Sequence, residues 1–171
     1  MKLEGIDPST LGDTVITCGI AGALSSDLLT GSVVVPDHVL RPDGSLLECD
    51  HDLVEALDAG ARALGCIPAR GALVTSNDLI TGSARDAWAR RGYIAVDMET
   101  GFVKAPRVAS VRVVLDTPEH ELSDAWLHPW SVLVRPDAWG QVLWVAQEAP
   151  RCARLAAAVL AEAIKKWQDR R

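Results

Sequence analysis

Along this chain, short apolar runs rich in Val and Ile alternate with stretches whose apolar residues recur at helical spacing. That alternation restricts the fold more than any other feature. Residues 14–18, 32–35, 72–74, 93–96 and 111–115 read as strands, β-branched and bounded by Gly, Pro or polar residues. Between them, residues 52–64 put Leu53, Val54, Leu57, Ala61 and Leu64 on one helical face, with Gly65 as the stop. Ser83 is the expected N-cap of a helix through Arg91, closed by Gly92. Pro150 is expected to open a last helix with Cys152, Ala156, Val159, Leu160, Ala163, Ile164 and Trp167 on one stripe. Pro42-Asp43-Gly44 is a turn, and few other segments suit hairpins. The pattern predicts an α/β fold: a three-layer αβα sandwich around a mixed, mostly parallel sheet, with residues 1–171 as one domain.

Composition removes several classes of function. Hydrophobic residues make up 49% of the 171 and charged residues 23%, enough apolar material for a real core. The formal net charge of -6, with no basic stripe ahead of Lys165-Lys166 and Arg170-Arg171, argues against a nucleic-acid surface. Met1 to Gly5 lack the apolar run of a signal peptide, and Glu162 and Lys165 interrupt the best candidate for a membrane span. Cys18, Cys49, Cys66 and Cys152 contain no C-x-x-C pair and read as reduced thiols of a cytoplasmic protein. Asp37-His38 and Asp50-His51-Asp52 match no metal-ligand spacing and read as solvated loop residues, so no metal is expected. The span 117–144, with four tryptophans and three prolines, reads as loop plus short helix. It is either a pocket wall, with His120 and His128 near substrate, or core and subunit packing.

In open α/β sheets ligands collect at the carboxyl ends of the strands. After Cys18 come Gly19-Ile20-Ala21-Gly22, small residues that permit close backbone approach. After Val74 comes Thr75-Ser76-Asn77-Asp78, after Val96 Asp97-Met98-Glu99-Thr100, and after Leu115 Asp116-Thr117-Pro118. Each acid alone suits a cap or turn; three acidic strand ends together indicate a site. The G-x-x-G spacing is not the dinucleotide fingerprint.

Three blocks carry a family resemblance. Residues 15–24 followed by 31–35, then Ile94-Ala95-Val96-Asp97-Met98-Glu99-Thr100, then Val111-Arg112-Val113-Val114-Leu115-Asp116, resemble in order the motifs of the nucleoside phosphorylase/nucleosidase superfamily. This superfamily includes purine nucleoside phosphorylases and methylthioadenosine/S-adenosylhomocysteine nucleosidases. The G-I-A-G form and R-V-V-L-D-T-P look most like its hopanoid-associated phosphorylase-like members. The resemblance implies a phosphorylase-like fold, cleavage of the N-glycosidic bond of a purine-type nucleoside or adduct, a small-molecule nucleoside partner, no cofactor, and a homo-oligomer.

It also implies roles. Glu99 matches the glutamate that binds ribose hydroxyls, and Met98 the methionine packed on the sugar. Asp116 matches the acid that protonates or hydrogen-bonds purine N7, for which burial behind Val113 and Leu115 is expected to retain a proton. Ala21 and Gly22 match backbone lining base and sugar; Asp97, Leu79 and Ile80 complete the expected substrate contacts. Departures are specific. Ile20 replaces a serine that binds phosphate or water, which favours hydrolysis over phosphorolysis, with phosphate as the lesser co-substrate. Leu79 replaces a stacking aromatic, and Pro106 cuts short the helix usual after V-D-M-E. A strand, loop and helix ahead of the first block are expected to be missing. The alternative reading is therefore a non-catalytic, degenerate nucleoside-binding remnant of the same fold.

Overall fold

The computed structural model describes residues 12–121 and 139–168. Seven strands form one sheet: β1 (Thr14–Ala23), β2 (Val33–Val34), β3 (His38–Leu40), β4 (Leu46–Glu48), β5 (Ala72–Thr75), β6 (Tyr93–Asp97) and β7 (Arg107–Asp116). Three helices accompany them: α1 (His51–Ala63), α2 (Ser83–Arg90) and α3 (Trp139–Gln168). The sheet order is β2-β7-β1-β6-β5-β3-β4. The β1–β7, β3–β5 and β5–β6 pairs are parallel, and β1–β6, β2–β7 and β3–β4 antiparallel, so the sheet is mixed with its longest ladder parallel.

Side-chain alternation along β7 sorts the layers. Ala109, Val111, Val113 and Leu115 join Leu53, Leu57 and Ala61 of α1 and Cys152, Ala156, Val159 and Ala163 of α3 in one buried cluster. Asp116, facing the opposite way, meets α2 through Arg85. Helices therefore cover both faces, as the α/β alternation predicts. Among the described residues no helix is long and apolar enough to cross a membrane.

Several boundaries differ from expectation. Residues 19–22 do not form a turn after β1; they continue it, because nine successive register partners on β7 extend the ladder as far as Gly22. The last helix begins at Trp139, with Pro150 inside it rather than at its start. A helical proline forfeits one backbone bond, at about 3 kcal/mol. Here Trp144 before it and Cys152 after it pack on the same core, and that packing outweighs the loss. The helix thus takes over residues 139–144 of the span expected to be loop plus short helix, as part of one long helix; residues 122–138, with Trp126, Trp130 and His128, lie outside the described residues.

At α2 the N-cap is Gly82, not Ser83, and no side chain caps it; the carboxylate of Glu121 instead accepts the Gly82 N–H at 2.7 Å. His38 lies in β3, whose hairpin with β4 is closed by the turn at Pro42-Asp43-Gly44. Asp50 caps α1 by accepting the Leu53 N–H at 3.1 Å and binds Arg107, while Asp37 pairs with Arg70. All four cysteines are free, but only Cys152 is fully buried.

Candidate active site

The strand ends converge on a cavity of about 580 Å³. Its lining includes all eight residues expected at the site: Ala21, Gly22, Leu79, Ile80, Asp97, Met98, Glu99 and Asp116. These residues come from four separated stretches of chain, so the fold alone brings them together. Ile20 also lines the cavity, as do Ala149, Pro150 and Ala153 of α3. His120 is not in the lining; its ring stacks on Trp144 at 6.2 Å.

One wall is built on Arg112. This arginine stands between Val111 and Val113 of β7 and is 1% exposed. Its Nη2 lies 2.8 Å from Asp97 Oδ2, and its Nη1 donates to Glu99 Oε2 at 3.1 Å. Burying a guanidinium costs several kcal/mol unless paired, and two carboxylates here supply the pairing. Gly19 makes room: a Cβ there would come within 2.5 Å of Arg112 Nη1.

Asp97 is saturated by protein donors. Its Oδ1 accepts from Thr75 Oγ1 at 2.6 Å, and its Oδ2 from the Thr100 N–H at 3.1 Å and from the Thr100 hydroxyl. It therefore fixes the turn that carries Met98 and Glu99. That turn leads into a short 3-10 segment, Thr100–Phe102, clamped by Arg41, which donates to the Gly101 and Val103 carbonyls at 2.9 and 3.0 Å. Met98 and Glu99 remain partly exposed to the cavity.

The facing wall centres on Asp116. Ala21 pairs with Val114 but Gly22 with Asp116, so Leu115 is an extra residue and β7 bulges there. A bulge re-aims the side chain that follows it. Gly22 admits the result, since a Cβ would stand 3.0 Å from Asp116 Oδ1. Asp116 is buried, as expected, but a buried countercharge stands beside it. Arg85 from α2, 1% exposed, forms an ion pair with Asp116 Oδ2. Its Nη1 also donates to the Ala23 carbonyl, and the Glu121 carboxylate lies 3.1 Å from its Nε, close enough for charge pairing but not aligned as a hydrogen bond.

Sequence reasoning missed both arginines. Arg112 had a signal, a charge within five residues of buried strand. Arg85 had none, being one of several polar residues on a short helix.

No protein-family model matches the chain, and no curated protein matches it by sequence. Solved structures do. S-adenosylhomocysteine nucleosidase from Streptococcus pyogenes, in complex with 5-methylthiotubericidin, superposes with a TM-score of 0.68 at 18% identity, covering 90% of this chain and 68% of that one. The 5'-methylthioadenosine/S-adenosylhomocysteine nucleosidase from Neisseria meningitidis, in complex with methylthio-immucillin-A, gives 0.68 at 20%, covering 90% and 70%. Futalosine hydrolase of Helicobacter pylori gives 0.67 at 15%, covering 90% and 68%. At such identities the likeness establishes architecture: this chain has the α/β fold of the nucleosidases and of futalosine hydrolase.

Proposed function

We propose that this chain belongs to the nucleoside phosphorylase/nucleosidase superfamily and cleaves the N-glycosidic bond of a purine-type nucleoside or nucleoside adduct, with water as acceptor. The observation that carries the reading is the placement of Glu99 with Met98 and of Asp116 on the walls of one cavity. Breaking the bond leaves an oxocarbenium-like sugar and an electron-rich base. Glu99, oriented by Arg112, binds ribose hydroxyls and faces the cationic sugar, where an anion stabilises the transition state. Met98 packs on the carbon face of the sugar. Asp116, carrying a proton on Oδ1, donates it to N7 of the leaving base, and the proton lost by the attacking water restores the acid; Oδ1 has no partner among the described residues, and Leu79 and Ile80 are apolar surfaces for the base.

Water is favoured over phosphate by the charges of the lining. The cations of the described lining are Arg85 and Arg112, each committed to carboxylates. A phosphate dianion would meet no free positive charge there, and Ile20 offers it no hydrogen bond. Homo-oligomeric assembly, a cytoplasmic setting and kinship with the hopanoid-associated members belong to the same proposal. Release of free base from a nucleoside panel, with and without phosphate, tests the reaction; sedimentation of the purified chain tests the assembly.

A further inference from the structure

A role for Arg85 rests on the proposed reaction, which sets a leaving base against Asp116. Every nitrogen of Arg85 is turned toward the protein. Nη2 takes Asp116 Oδ2, Nη1 takes the Ala23 carbonyl, and Nε faces Glu121, which is itself fixed by the Gly82 N–H. Nη1 and Nη2 are thus each engaged with the protein, and the guanidinium occupies one of the two oxygens of Asp116. Among the described residues only Oδ1, beside Gly22, has no hydrogen-bond partner.

On a purine, ring nitrogen N7 and the substituent at carbon 6 share one edge. A carboxyl group free at both oxygens spans that edge and separates a 6-amino donor from a 6-oxo acceptor. A carboxyl group held at Oδ2 by a guanidinium has one oxygen left, which when protonated donates to N7 and makes no contact with the substituent at carbon 6. The surrounding base wall of Leu79, Ile80 and Val96 is apolar, and Asp78 is an exposed lining residue. Hydrogen-bonded sites reject the wrong group by roughly 10⁴-fold or more, whereas apolar walls separate near-isosteres only about 10- to 200-fold. We infer that Arg85 is a specificity-determining positioning residue acting through Asp116. It reduces the polar contact with the base to a single point, so the site takes 6-amino- and 6-oxopurine nucleosides alike.

The test compares kcat/KM for adenosine and inosine in wild type, Arg85→Met and Arg85→Lys. Wild type is expected to treat the two within about tenfold of each other. Arg85→Met frees the second oxygen and should move the ratio toward adenosine by about tenfold or more, the worth of one added hydrogen bond. Arg85→Lys retains a cation on Oδ2 and should keep the wild-type ratio. A merely structural arginine would lower both activities together and leave the ratio alone. A wild-type preference of about a hundredfold or greater, or an unchanged ratio in a folded Arg85→Met, overturns the inference.

If Arg85→Met does not fold, calorimetric binding of adenine and hypoxanthine to wild type decides. Affinities within about tenfold support the inference, and a preference of about a hundredfold or more contradicts it. If neither nucleoside is cleaved, the glycosidase reading fails on its own and the same base-binding comparison still judges this one. Binding of neither base overturns it.

Discussion

Arg112 Nη1 donates to Glu99 Oε2 at 3.1 Å from a guanidinium whose other arm rests on the buried Asp97. The orientation of Glu99 is thus set from beneath, by a charge that never reaches the cavity surface as a free group. Replacing Arg112 with Met strands Asp97 as an unpaired buried carboxylate and frees Glu99. Loss of one partner from a buried pair costs about 3–5 kcal/mol. Urea unfolding should show a loss of that order, with kcat/KM reduced about 100-fold or more in whatever folded protein remains.

Gly19→Ala separates site geometry from stability. The added methyl would crowd Arg112 Nη1 at 2.5 Å and sit 4.0 Å from Glu99 Oε2. The contact is with the end of a flexible side chain, so the guanidinium shifts rather than the strand. Unfolding free energy should change by about 1–2 kcal/mol, while turnover falls about tenfold or more as Glu99 is displaced. Equal activity in the variant would mean that the Arg112–Glu99 contact is not part of catalysis.

Asp50 makes stability depend on acid. The Arg107 hydrogen bonds, with the Leu53 N–H added, hold its carboxyl below the usual aspartate range. A carboxyl lowered in the folded state stabilises above its unfolded value, near 3.8, and that contribution fades as pH falls through the folded value. Asp50→Ala should cost about 1–2 kcal/mol at pH 7. The gap between wild type and variant in thermal or urea unfolding should close at acid pH, below the ordinary aspartate range.

Burial, with Asp37 and Glu48 nearby, pushes the Cys49 thiol up to about 12. Since the thiolate is the reactive form, Cys49 should resist iodoacetamide at pH 8 in native protein. Peptide mapping should find it alkylated only after unfolding in urea.

Much of this arrangement is legible from residues alone. Val and Ile runs mark the strands because β-branched side chains suit a pleated, covered surface, and acids after Val96 and Leu115 mark the strand ends that line the cavity. The extent of β1 is not legible, because residues 19–22 look like a turn until a partner strand is laid beside them. The start of the last helix escapes for a similar reason: Pro150 is a local signal, and the packing of Trp144 and Cys152 is a tertiary one. Asp97 stands where a substrate contact is expected, whereas its oxygens are spent on Thr75, Thr100 and Arg112. The Arg85–Asp116 pair joins residues 31 apart through a bulge and a short helix, and no spacing in the sequence announces it.

Free base and free sugar released from purine nucleosides in phosphate-free buffer, assayed for wild type, Glu99→Gln and Asp116→Asn, test the central claim most directly. Wild type should release both without phosphate, release should be abolished in Asp116→Asn and strongly weakened in Glu99→Gln, and both variants should be folded. Wild-type activity in both variants, a strict requirement for phosphate, or no release by wild type from any nucleoside would contradict it.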